Sequence, residues 1–354
     1  MRCVPALLSV ALLLVATPAS GASTSAPRLN ELTSRDAVLG WVWAYRSKPN
    51  PEGVPAALKA ASRLGLLRDP EASGVFVGFL AGVIGANPAK AESLLTKTLP
   101  LPVEDQWMMV RAIAYSGLPE WKSLLRRVGP RLPARRAMVE KQLAGRLPTL
   151  DQLHIKDDPK WYEQAWETVR IDKYFTKKDK ADKPVRLEPS GDLIDAYWGY
   201  YFATGAYSPI ARIVALTRWA KHRDDVEKLS IGSMAKYTLA TNATRDPAIL
   251  SMLQWATKQE QPKEVKEALA EIVEAAETAE TARIRKEAYG AVEELRRKGP
   301  GSRRDVATWG RVGEGAISLG CLGAAVTGQV QFGLPCVVGG ALTSAALRYW
   351  ATPD

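Results

Sequence analysis

The chain predicts an all-α fold, on three observations. Apolar residues recur at spacings of three and four along nearly every segment after Arg28. Alternating, strand-like runs are scarce, and Pro and Gly fall between the periodic stretches rather than inside them. The finer expectation is an irregular helical-hairpin repeat, an α-solenoid-like body, followed by a C-terminal glycine-rich apolar helical hairpin. An irregular helical bundle is the alternative.

The N-terminus reads as a targeting segment. Met1-Arg2 is a short basic region, Val4 to Ala16 is apolar, and TPASGAS supplies small residues for cleavage. The expected signal peptide covers residues 1–22, with cleavage after Gly21 or Ala22, and an uncleaved anchor is the competing reading. Its apolar stretch is too short for a good spanning helix. Cys3 would leave with it.

The first helical region is expected over residues 28–174. Thr33-Ser34-Arg35-Asp36 ahead of AVLGWVWAY offers a helix start that places Trp41 and Tyr45 on one face. Asp69-Pro70 is read as the opening of the next helix. Further on, GFLAGVIGANPAKAESLL (residues 78–95) aligns without a gap to GYYFATGAYSPIARIVAL (residues 199–216), pairing Gly78 with Gly199 and Pro88 with Pro209. Residues 112–125 and 237–253 repeat the grammar around Pro119 and Pro247. Each unit is a helical hairpin whose second helix begins at a proline, and one hairpin buries its apolar face only by stacking on others. At this level the chain resembles the HEAT and TPR class of α-helical repeats, although the tight TPR consensus of Trp, Leu-Gly and Tyr positions is not present.

FTKKDKADKPVRLEPSGD (residues 175–192) has the charge, Pro and Gly of an exposed linker or long loop. A second helical region follows over residues 193–298 and ends in one long helical pattern from Lys263 to Lys298. Its stripe of Val265, Leu269, Ile272 and Ala276 slips after Ala279 before resuming at Ile284, Ala288, Val292 and Leu295. KGPGSRRD then breaks the helix.

Residues 309–350 form the apolar, Gly-rich hairpin. Between Gly315 and Leu347 there is no charged side chain, but Gly328, Gln329, Gln331, Gly333 and Pro335 place a turn at the middle. Each half is too short to cross a bilayer of about 30 Å at about 1.5 Å per residue. The turn brings Cys321 opposite Cys336, and in an exported chain these two are the expected disulfide, worth about 3 kcal/mol for a loop of this length. The hairpin would dock on a membrane, a partner or the body itself.

The chemistry of catalysis is thinly represented. His154 and His222 are the only histidines and neither has a second ligand at metal spacing, so no metal site and no cofactor is expected. His222 in KHRDD has Asp224 and Asp225 beside it, more simply a charged helix end than a general base. Walker, dinucleotide-binding and Ser-His-Asp patterns are missing along with the strands they need. Asp192 and Asp195 precede YWGYYF, so an acid pair beside sugar-stacking rings is conceivable, although Asp192 also reads as a helix cap. Asn242-Ala243-Thr244 is a lone glycosylation sequon.

The formal charge is +10, and loss of the signal segment takes only Arg2 from it. A basic surface favours acidic partners. The most compact cationic patch is RRVGPRLPARR, with Arg126, Arg127, Arg131, Arg135 and Arg136. The functional expectation is an exported, periplasmic or extracellular, non-enzymatic helical-repeat interaction or scaffold protein. It would bind a protein or an anionic envelope component through these arginines and through Tyr197, Trp198 and Tyr201, with membrane association through the C-terminal hairpin. Nucleic acid is not expected as a partner. The alternative is an envelope glycan-acting enzyme using Asp192 or Asp195 as catalytic acid.

Overall fold

A computed structural model describes residues 28–69, 72–152, 189–222, 225–284, 286–287 and 290. Among these residues every regular element is helical and there is no strand, an arrangement consistent with a helical bundle. The signal segment, most of the 175–192 linker, His154, and the hairpin with Cys321 and Cys336 lie outside the described residues.

Local chemistry sets the first helices. Ser34 caps α1 (Arg35–Ala44) by accepting the Ala37 N–H at 3.2 Å, and Trp41 and Tyr45 meet edge-on at 5.4 Å. α2 (Val54–Arg63) buries its Ala57, Leu58 and Ala61 stripe. The next helix opens at Ser73 rather than at Asp69-Pro70, because the Asp69 carbonyl accepts from Ala72 and Ser73 in a preceding turn. This helix, α3 (Ser73–Ala86), is apolar all round, and every residue from Ser73 to Gly85 is buried. α4 (Ala91–Thr98) and α5 (Trp107–Tyr115) pack beside it, with Pro88 opening the turn into α4, and α6 (Trp121–Val128) and α7 (Arg136–Leu143) pack in turn on α5.

The second group begins with α8 (Gly191–Thr204), capped by Ser190 and closed by Gly205 in the left-handed region at φ +72°. α9 (Ser208–Leu216), α10 (Val226–Arg245) and α11 (Pro247–Ala256) follow, and Asp246 caps α11 through the Ala248 N–H at 3.0 Å. α12 (Lys263–Glu277) buries Val265, Leu269, Ile272 and Ala276 as their spacing predicts. It is not one long helix to Lys298. The chain leaves it through Ala279 at φ +57°, where the apolar stripe changes face, and resumes helix at Thr281.

One apolar core joins the two groups, and its centre is the contact of α3 with α8. A Cβ on Gly74 would lie 2.6 Å from the Asp192 carbonyl oxygen, and one on Gly78 would lie 2.7 Å from Ala196 Cα. On Gly82 it would meet Ala203 Cβ at 2.7 Å, and on Gly199 the Phe79 nitrogen at 2.7 Å. The contacts climb both helices together, so α3 and α8 run parallel. Gly78 and Gly199, paired by the sequence alignment, occupy the same level of the interface. Small residues every fourth position let the two backbones touch, as in tightly packed membrane helices.

Among the described residues no single helix is long and apolar enough to cross a membrane. α3 and the Pro88–Thr98 segment pass on length and composition together, but they bend by 106° at their break, and α3 is buried core.

Candidate functional site

The glycine contact leaves an opening where the first turn of α8 passes α3 and α5. A cavity of about 230 Å³ lies there, closed on its far side by α7 and the loop at Leu147-Pro148. Trp107, Arg111 and Tyr115, one turn apart on α5, all line it. The Arg111 guanidinium sits over the Trp107 ring at 5.3 Å, a cation–π contact that limits the rotamers of a long side chain. Opposite, Asp192 projects from the first turn of α8.

The wall is built as well as lined. Gln142, 2% exposed, donates its amide to the carbonyls of Leu147 and Pro148 at 3.2 and 3.3 Å, which fixes the loop forming the far side. Val77, Met138 and Leu147 give the cavity an apolar half. Tyr115, which lines the same cavity, is 7% exposed. Burial pushes its pKa up, the Arg111 charge pulls it down, and the Asp192 charge pushes it up again. At neutral pH it is therefore a hydroxyl donor.

Of the two acids predicted from sequence, only Asp192 faces this space. It does not cap α8. The cap is Ser190, whose hydroxyl accepts the Leu193 N–H at 3.3 Å. Asp195 is 3% exposed, and its Cβ lies 2.8 Å from where a Cβ on Gly74 would stand. The two carboxylates thus leave α8 in different environments, one exposed and one inside the α3–α8 contact.

The aromatic cluster is core, which corrects its reading as a binding surface. Tyr197, Trp198 and Tyr201 are buried, because α8 is surrounded on all sides. The Tyr197 hydroxyl donates to the Leu150 carbonyl at 3.2 Å, and the Trp198 ring stacks on Phe202 at 5.8 Å. The Tyr201 hydroxyl donates to Asp246 at 2.9 Å beneath the Arg46 guanidinium, which also pairs with Asp246. Burial first and the Asp246 charge second push the Tyr201 pKa well above the ordinary tyrosine value, so it stays protonated.

The arginine patch is at the surface, but most of it is engaged. Arg127 pairs with Glu92 at 2.7 Å, Arg131 hydrogen-bonds Thr96, and Arg135 donates to the Val103 carbonyl at 2.6 Å. Arg136 pairs with Glu140 one turn on at 2.8 Å, while Arg126 is exposed on α6. Asp225 caps α10 through the Lys228 N–H at 3.1 Å, which is the helix-end role rather than an orienting partner for His222. Asn242 of the sequon is 3% exposed, with its amide bonded to the Thr238 carbonyl, so the folded chain does not present it for glycosylation. Among the described residues no three His, Cys, Asp or Glu side chains gather as metal ligands.

Sequence reasoning missed Trp107, Arg111 and Tyr115. Their one-turn spacing in WMMVRAIAY was the available signal, an arginine placed between two aromatic residues on one helical face. The chain matches no protein-family model, no curated protein and no solved structure.

Proposed function

We propose that this chain is an exported, non-enzymatic scaffold. Its body is a stack of helical hairpins that holds a partner protein or an anionic envelope component, and residues 315–347 are the route to a membrane. The observation that carries this reading is the separation of Asp192 from Asp195. Glycoside hydrolysis needs two carboxyl groups facing one bond, and here one acid is exposed at a cavity while its neighbour is buried against Gly74. The rings that would stack a sugar are core. The hairpin body is supported by the alignment of residues 78–95 with 199–216, whose first helices pack in matching register.

The surface offered to an acidic partner is the arginine segment on α6 and α7. Its intramolecular contacts hold the guanidinium groups in place, which lowers the entropy lost on binding. The test mixes the mature chain with isolated envelope glycan and with vesicles containing anionic lipid, followed by sedimentation and mass analysis of the glycan. The expected result is co-sedimentation with one of them, weakened in the double variant Arg126→Glu, Arg136→Glu, with intact glycan. Release of glycan fragments that ceases in Asp192→Asn replaces this reading with the enzyme.

A further inference from the structure

We infer that the cavity between α3, α5 and α8 binds a small monocarboxylate with a short apolar tail, its carboxylate held by the Arg111 guanidinium and the Tyr115 hydroxyl. This goes beyond the scaffold reading and does not depend on it.

The first argument is which polar groups around the cavity are still unused. Gln142 holds the Leu147-Pro148 loop, Ser190 caps α8, and Asp192 is engaged within the protein. Arg111 and Tyr115 differ from these. Among the described residues the half-buried Arg111 guanidinium has no acidic partner, only the face of the Trp107 ring, and the Tyr115 hydroxyl has no acceptor. Partial burial of a cation is costly without a counter-charge, and an anionic ligand supplies the one that Arg111 lacks.

Placement is the second. Arg111 and Tyr115 stand one turn apart on α5 and line the same space, and burial keeps the Tyr115 proton in place although the Arg111 charge pulls against it. The forked guanidinium and this hydroxyl donor together suit the two oxygens of a planar carboxylate. The Asp192 charge also reaches Tyr115, which limits the ligand to a single negative charge. Size and lining are the third. About 230 Å³ lies below the roughly 300–1,000 Å³ of ordinary small-molecule sites, so the occupant has few heavy atoms. Val77, Met138 and Leu147 are left for its tail, where the extra oxygens of a phosphate or a hydroxylated tail would lose their water without a partner.

Calorimetric titration of the purified chain with 4-methylpentanoate, 4-methylpentanamide and inorganic phosphate tests the assignment. The carboxylate is expected to saturate one site. The amide has the same shape without the charge, and it should bind about tenfold more weakly or worse, as should phosphate. Arg111→Lys keeps the charge but loses the fork, and it should weaken the carboxylate about tenfold. Tyr115→Phe removes one donor from an otherwise unchanged ring and should weaken it about three- to tenfold, while circular dichroism shows both variants folded. The inference is overturned if the amide or phosphate binds as tightly as the carboxylate, if Arg111→Lys and Tyr115→Phe both leave its binding unchanged, or if it shows no saturable binding up to about 10 mM. Since the carboxylate is titrated directly, a negative result leaves the scaffold reading standing.

Discussion

At the level of Gly78 and Gly199, α3 and α8 meet backbone to backbone with no charged side chain between them. Where α10 meets α12, the apolar stripe of Val265, Leu269 and Ile272 is joined by a charged cluster. Lys236, whose side chain is only 10% exposed, pairs with Glu271, and Lys221 reaches the same carboxylate at 2.9 Å. At the level of its central glycines the first contact is held by shape and dispersion, which do not titrate and are little affected by salt, while Asp195 lies one turn earlier, against Gly74. The second is held partly by charge, which accommodates changes of shape but depends on pH and ionic strength. The two interfaces of one core should therefore fail in different ways.

The largest expected effect breaks the first contact. Gly78→Ala and Gly199→Ala each drive a methyl group into the backbone of the opposing helix, and neither backbone can yield without moving a whole helix. Each should cost more than about 3 kcal/mol, beyond the usual range for overpacking. Guanidinium unfolding provides the measurement. Gly65→Ala is the control, because Gly65 has a left-handed φ of +75° but open space around it. It should cost only about 1–2 kcal/mol, from conformation alone. If Gly78→Ala costs no more than this control, close approach is not what holds α3 to α8.

The parts of this comparison legible in the sequence are local. The Ser34 cap, the proline at the start of α11 and the stripe of α12 depend on residues a few positions apart, and their periodicity survives in the fold. The alignment of Gly78 with Gly199 was visible too, but only as a repeated unit. That each glycine lies against the backbone of the other helix, Gly78 at Ala196 and Gly199 at Val75 and Phe79, is a tertiary fact, set by a crossing that no local pattern encodes. YWGYYF misled for the same reason. Its polar tips suggest a wet surface, yet their acceptors, the Leu150 carbonyl, the Ser116 carbonyl and Asp246, come from distant segments that the fold folds over α8. The slip at Ala279 was legible as a change of face. It became a break in the helix because a stripe on a new face cannot continue to pack on the same neighbours.

Acid should separate the two contacts next. Burial pushes the Glu271 pKa up, but hydrogen bonds and charge from Lys236 and Lys221 together outweigh it and hold the carboxyl below its ordinary value of 4.5. A carboxyl depressed by folding contributes its full stability above that ordinary value and loses it as the pH falls through the folded pKa. Glu271→Gln should therefore cost about 2 kcal/mol at neutral pH, since it leaves the nearly buried Lys236 short of its main partner. The deficit should shrink as the pH drops below 4.5, because the unfolded wild-type chain then takes up the proton before the folded one does, and should vanish once the pH has passed the lower folded pKa. Urea midpoints measured from pH 7 to pH 3 provide the check. The deficit of Gly78→Ala should stay constant over the same range.

The smallest effect divides the charged contact itself. Lys221 and Lys236 share Glu271, but the Lys221 side chain is 58% exposed against 10% for Lys236. Hydrogen bonding to Glu271, ahead of a modest opposing cost of burial, raises the Lys221 pKa. Its charge is therefore present throughout the neutral range, and its contribution is limited by solvent screening rather than by titration. Lys221→Ala should cost no more than about 1 kcal/mol, and added salt should reduce that cost, because the exposed member of a charge cluster is the one that salt reaches. Lys236→Ala should cost more and respond less to salt, because it strips a half-buried carboxylate of the partner that water reaches least. Equal costs and equal salt dependence for the two lysines would mean that burial does not decide the strength of this cluster, and the contrast with α3–α8 would then rest on glycine packing alone.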